Sequence, residues 1–215
     1  MQVTEVRGEH FLKVLTGLLT PEKCKEYIDL IEDPSTKRDP RDRDWHDARP
    51  DNGATYMRGI RFRPDIADDL FARIQPVLPK EYEGHVILPY LNPCIRFSKY
   101  YEGGRFAVHH DGQKFDSSRR GEFGDHGDYD FVTLFTLNIT LNKGFGGGET
   151  DFFHGSLKSR PHKKRDKELT HRYRVEPEPG RAALFYFDQP HRGNVVRGVP
   201  PHKYLMRTDV MAIRK

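Results

Sequence analysis

The chain has 215 residues, of which 35% are hydrophobic and 32% charged, with a formal net charge of +4. Its length suits one domain, and 14 Phe with 10 Tyr give bulk for a β-rich core, which argues against extended disorder. No apolar run approaches the ~20 residues of a membrane-spanning helix. Cys24 and Cys94 have no metal-site or redox spacing, so a cysteine nucleophile is not expected. The N-terminal stretch has an early Glu and lacks the basic–apolar–small order of a signal peptide, so the expected location is cytoplasmic, with reduced cysteines.

In chain order, "LTPEKCKEYIDLIED" predicts a helix with Thr20 as N-cap, Pro21 at its first position and an apolar stripe of Cys24, Tyr27, Ile28 and Ile31. Residues 32–56, rich in Pro, Asp and Arg, read as a long surface loop, with Trp45 and Tyr56 as aromatic anchors of a lid. "DIADDLFARIQPVL" predicts a second helix through Ile66, Leu70, Phe71, Ile74 and Leu78, with Pro76 interrupting its last turn. From residue 91 the pattern becomes short β-branched or aromatic runs separated by Gly, Pro, Asn and Asp. The expected organisation is a single domain over 1–215, with 1–90 as helical support and lid loop and 91–215 as the β core. Its fold class is mainly β with N-terminal helices, the core an antiparallel sandwich or barrel of jelly-roll type. Segment 157–174, "LKSRPHKKRDKELTHRYR", is dense in Lys and Arg. It reads as a solvated loop, with a patch for nucleic acid or an acidic partner as the alternative; with Tyr173 its only aromatic, a single-strand-binding role is disfavoured.

"GGRFAVHHDG" ends an apolar strand on His109, His110 and Asp111. Two residues apart on a strand, His109 and Asp111 share a face while His110 points away. The pair is either part of a metal site or a surface ion pair. A third ligand must come from another strand, and His191 is the best placed: it follows the apolar run "RAALFYFDQP", 80 residues after Asp111. His202 is the rival. Two imidazoles and one carboxylate form the facial triad of non-haem Fe(II) oxygenases, whereas catalytic zinc more often takes three histidines or two with a glutamate. Lys203, 12 residues after His191, shares a strand face with Leu205 and Arg207. A cation turned into an apolar barrel needs an anionic partner.

The string "RFSKYYEGGRFAVHHDG … FVTLFTLNITLN … GGGETDFF … PGRAALFYF … HRGNVVRGVPPHKYLMRTDVM" resembles the prolyl 4-hydroxylase-type branch of the 2-oxoglutarate- and Fe(II)-dependent dioxygenases. The resemblance covers roughly 91–213 and implies a double-stranded β-helix, with oxidative decarboxylation of 2-oxoglutarate to succinate and CO2 driving hydroxylation of a substrate. Carried over by position, His109, Asp111 and His191 match the iron ligands, Lys203 the cation that pairs with the distal carboxylate of 2-oxoglutarate, and Tyr100 a tyrosine lining the cosubstrate pocket. Ascorbate is the expected reductant. The turn "VPPH" lengthens the interval from His191 to Lys203, which leaves Lys203 and Arg207 both open as the carboxylate clamp. Arg192 stands where the nearest relatives often carry an acid. The substrate class implied is a prolyl residue of a protein or a free amino acid, with 35–57 and 112–130 as lid candidates, the second bordering the iron because it starts directly after Asp111. The competing readings are a nucleic-acid demethylase, whose paired-arginine ending "KYLMRTDVMAIRK" does not match, and a non-catalytic cupin-like metal-binding module, in which an inward Lys203 has no purpose.

Overall fold

The computed structural model describes residues 1–48, 55–113, 131–155, 157 and 169–214. Helix α1 (Pro21–Glu32) begins directly after Thr20, whose hydroxyl accepts the Lys23 amide at 3.2 Å, and it buries Cys24, Tyr27 and Ile31. Helix α2 (Pro64–Ile74) buries Ile66, Ala67, Leu70 and Ile74. Pro76 does not break α2; it falls in a separate 3-10 turn, Gln75–Val77, that follows the helix.

Strands begin well before residue 91. The N-terminal part contributes β1 (Gln2–Glu5), β2 (Leu12–Thr16), β3 (Arg43–Asp47), β4 (Met57–Phe62), β5 (Glu81–Tyr82) and β6 (His85–Leu91). The remainder supplies β7 (Cys94–Tyr100), β8 (Phe106–His109), β9 (Phe131–Thr140), β10 (Gly146–Gly147), β11 (Thr150–His154), β12 (Thr170–Val175), β13 (Ala182–Tyr186), β14 (His191–Gly193), β15 (Val196–Arg197) and β16 (Lys203–Arg214). Residues 1–90 are therefore more than helical support. Among the described residues a ten-stranded sheet runs β1-β2-β13-β9-β16-β7-β4-β3, with β6 also on β16 and β5 on β6. A second sheet runs β12-β11-β14-β8, and β10 pairs with β15. Every pairing is antiparallel, and the two larger sheets form the jelly roll expected from the sequence.

The layers are helices, large sheet, small sheet. Leu70, Ile74, Cys24 and Tyr27 pack with Phe97, Leu137, Ile139 and Met206 on one face of the large sheet. On its other face, Leu12, Val14, Ala183 and Phe185 meet Phe152 and Val175 of the small sheet. Trp45 belongs to the helix side: it packs against the core and donates from its indole to Glu32 Oε1 at 3.1 Å, so it anchors β3 to α1 instead of a lid. Of the remaining lid segments, 49–54 and 114–130 lie outside the described residues. No helix among the described residues is long and apolar enough to cross a membrane.

Alternation along the large sheet builds the wall of the site. On β7, Ile95 and Phe97 face the helices, so Arg96, Ser98 and Tyr100 face the small sheet. The β16 register sets Arg207 opposite Arg96, Leu205 opposite Ser98 and Lys203 opposite Tyr100. Asn138 of β9 pairs with Arg207, and Arg58 of β4 with Ser98. A polar wall thus points into the molecule, backed by apolar residues of the same strands.

Leu70 is fully buried between α2 and the large sheet. Leu70→Ala should lower the unfolding free energy by about 2–5 kcal/mol, read from the urea midpoint at constant slope.

Candidate active site

Neighbouring strands of the small sheet carry the two histidines: His109 closes β8 and His191 opens β14, paired in register, with ring centroids 4.2 Å apart. Asp111 follows β8, and its amide donates to Phe187 O at 2.9 Å. One ligand atom from each of the three lies within 4.8 Å of the others. The His109 ring stacks on Phe106 at 3.7 Å. Asp111 and His191 are buried, His109 half-buried.

Hydrogen bonding aims the free nitrogens inward. Nδ1 of His109 lies 2.8 Å from Ala107 O, and Nδ1 of His191 lies 2.9 Å from Gln189 O. A carbonyl only accepts, so each Nδ1 carries the proton and each Nε2 keeps its lone pair. Both Nε2 atoms face Asp111, at 3.9 Å from Oδ1 for His109 and 4.0 Å from Oδ2 for His191. Burial and the neighbouring His191 push the His109 pKa down to about 3, and burial lowers that of His191, so both imidazoles are neutral at pH 7. Burial opposes ionisation of Asp111, yet the Arg207 guanidinium and the two imidazoles hold its carboxyl well below the usual range. Thr136 donates to Oδ2 at 2.7 Å and Arg207 Nη1 to Oδ1 at 2.5 Å. Two neutral imidazoles and an ionised carboxylate, all converging, are the donor set a divalent transition metal takes.

His110 points elsewhere, 3.8 Å from Asp188. His202 stands apart from the cluster, its ring against Tyr101 at 4.4 Å. Lys203 is 1% exposed; its ammonium donates to Gly148 O at 2.5 Å and lies 5.0 Å from the Tyr100 ring centroid. No carboxylate oxygen among the described residues lies within 4.0 Å of it. Gly148 has φ +73°, and a Cβ there would come 3.1 Å from Lys203 Cδ, which accounts for glycine at that position before β11. Arg207 already has partners, bonding Asp209 Oδ1 at 3.0 Å as well as Asp111. Tyr100 is buried, and that burial pushes its phenol pKa well up. Asn138 and Thr150 also line the cavity beside the cluster.

A family model for the 2OG-Fe(II) oxygenase superfamily matches residues 95–208. The chain belongs to that superfamily. Ferrous iron and 2-oxoglutarate are the metal and cosubstrate the family implies. No curated protein matches this oxygenase by sequence. Its fold is similar to that of a viral collagen prolyl hydroxylase from Paramecium bursaria Chlorella virus-1 in complex with 2OG, at TM-score 0.53 and 15% identity over 93% of this chain and 95% of that one. It is also similar to a Pseudomonas putida prolyl-4-hydroxylase, at TM-score 0.55 and 15% identity over 94% and 92%.

Three features of the oxygenase were not singled out in the sequence. Arg58 reaches the cavity from β4, whose run "MRGIRF" does alternate but follows a loop-like stretch; Tyr56, read above as a lid anchor, lines the same cavity just before that strand. Asp151 is fully buried on β11 and accepts from Arg174 of β12 at 2.7 Å, Arg192 of β14 at 2.9 Å and Asn194 at 2.9 Å. It joins three strands of the small sheet and explains the arginine after His191. Arg172 of the basic segment is also internal, donating to Val6 O at 2.7 Å and His10 O at 2.8 Å; residues 158–168 of that segment lie outside the described residues.

Burial opposes ionisation of Asp151, but hydrogen bonds from Arg174, Asn194 and Arg192 hold its pKa well below the usual carboxylate range. Its stabilising contribution is present above the unfolded pKa of ~3.9 and is lost as the pH falls below it. Asp151→Asn should cost about 1–3 kcal/mol at pH 7 and flatten the fall in stability between about pH 5 and 3, measured by urea unfolding across that range.

Proposed function

We propose that this oxygenase hydroxylates a C–H bond of a prolyl residue or of a free amino acid, with decarboxylation of 2-oxoglutarate to succinate and CO2 and with ascorbate as external reductant. The carrying observation is the convergence of His109 Nε2, His191 Nε2 and the Asp111 carboxylate beside a buried lysine with no carboxylate oxygen within 4.0 Å among the described residues. Ferrous iron bound by His109, Asp111 and His191 would supply the activation of dioxygen, one oxygen atom going to succinate and the other to the substrate carbon.

The chain's own residues do the rest. Thr136 and Arg207 each hold one Asp111 oxygen, which fixes the plane in which the carboxylate faces the two imidazoles. Phe106 covers one face of His109 and keeps water from it. Lys203 receives the distal carboxylate of 2-oxoglutarate: a buried ammonium bonded only to a carbonyl needs an anion, whereas Arg207 has two. Tyr100, held as the neutral phenol, keeps a proton to donate beside Lys203. Nothing in the described part of the basic segment favours a nucleic-acid enzyme: Arg172 bonds the Val6 and His10 carbonyls, and Arg174, although exposed, is paired with Asp151.

Protein supplied with Fe(II), ascorbate and 2-oxoglutarate should form succinate slowly without a prime substrate, and His109→Ala should remove this activity. Absence of 2-oxoglutarate binding to the metal-loaded protein, measured by anaerobic calorimetry, would refute the assignment. Burial brings the Lys203 pKa down to about 8, with Glu149 partly offsetting. Since the anion binds the protonated amine, affinity for 2-oxoglutarate should be level below pH 8 and fall about tenfold per pH unit above it. Lys203→Arg should remove that dependence, because guanidinium does not titrate there.

A further inference from the structure

We infer that the prime substrate carries a carboxylate and that Arg58 receives it, an inference that rests on the oxygenase reading above. Arg58, Arg96 and Arg207 line the cavity on three adjacent strands, with Lys203 buried behind Tyr100. The carboxylates that pair with these four cations among the described residues are Asp111 and Asp209, and Glu149 acts on Lys203 from beyond 4.0 Å. Arg96 reaches Asp209 at 2.6 Å, and Arg207 shares Asp209 and Asp111. Arg58 has no carboxylate oxygen within 4.0 Å among the described residues; its one hydrogen bond there is to the Tyr56 hydroxyl at 2.6 Å.

Loading the enzyme leaves this excess in place. Divalent iron and dianionic 2-oxoglutarate cancel, so the surplus positive charge persists until a further anion enters. Arg58 is half-buried, where an unpaired guanidinium is unfavourable, and its planar fork matches a carboxylate. The Tyr56 oxygen accepts from Arg58, which leaves its own O–H free to donate to the same anion. Register places Arg58 beside Ser98, between the level of Arg96 and Arg207 at the iron ligands and the level of Tyr100 and Lys203. Around it the aromatic rings suit an apolar body: Tyr56 stacks on Tyr100 at 4.9 Å and meets Phe106 at 5.5 Å. The substrate is thus small and apolar near the oxidised carbon with a carboxylate close by, either the α-carboxylate of a free amino acid or the C-terminal carboxylate of a peptide.

The test uses Fe(II)-loaded protein with 2-oxoglutarate and three sets of compounds: free L-amino acids, short proline-containing peptides with a free C-terminus, and both sets as primary amides. The readouts are acceleration of succinate formation and a mass gain of one oxygen. At least one acid should accelerate turnover, with its amide weaker by about tenfold to a hundredfold in kcat/KM. Arg58→Gln should raise KM for that acid by a similar factor and bring acid and amide together, while Arg58→Lys should keep part of the preference. A response from the free amino acids or from the peptides supports the inference and identifies the source of the carboxylate. Equal response to acid and amide, no response to any compound, or an Arg58→Gln effect confined to KM for 2-oxoglutarate overturns it. Succinate formed by the wild type without any added compound is read separately; its absence removes the oxygenase reading itself.

Discussion

The site depends on one buried carboxylate. Asp111 stands where the two sheets meet: its strand belongs to the small sheet, its amide is tied to Phe187, and its oxygens are held by Thr136 and Arg207 of the large sheet. Without a cation beside it, an ionised acid in that place would be strongly disfavoured. Arg207 provides one from the side, and the two imidazoles, neutral and with Nε2 turned inward, leave the remaining space to a metal ion. The same carboxylate thus couples the closure of the jelly roll to the ability to bind iron.

Arg207 and Lys203 lie on one strand face yet have different surroundings. Arg207 sits in a carboxylate pair, and although burial opposes its charge, Asp111 and Asp209 hold its pKa raised. Lys203 has a carbonyl and an aromatic face, and burial lowers its pKa. The first arrangement fixes a permanent charge next to the metal ligands. The second keeps a charge whose stabilisation is incomplete, which is why we propose it as the residue that receives an anion.

Much of this was legible in the sequence because the governing periods are local. The cap Thr20–Pro21, the helical stripe Cys24–Tyr27–Ile31 and the alternation from Cys94 onward each show within a short window, and His109-x-Asp111 falls on one face by strand geometry alone. Two of the N-terminal strands, β1 and β3, were not legible for an equally physical reason. β1 is wholly exposed, and β3 is a charged strand at the end of the sheet, so neither shows apolar alternation, and both owe their conformation to pairing with β2 and β4. The bracing by Asp151 was hidden for another reason: its partners Arg174, Arg192 and Asn194 lie on β12 and β14 or just beyond, and only the register between strands reveals the contact.

The polar wall of the large sheet also constrains what the cavity can accept. Sheets that face a core present apolar residues inward, and β7 and β16 do so toward the helices; at the site they turn Arg96, Ser98, Lys203 and Arg207 toward the small sheet, together with Tyr100 and Leu205. Such a wall is stable only if its charges are matched, and Asp111 and Asp209 match two of them. 2-Oxoglutarate brings its own two charges, but it comes with a divalent metal and leaves the balance unchanged. Among the described residues the remaining imbalance sits on Arg58, at the side of the cavity lined by Tyr56 and Phe106. Charge matching is therefore the ground on which we propose two separate anion sites: a deep lysine for the cosubstrate, and a half-buried arginine among aromatic rings for the molecule to be oxidised.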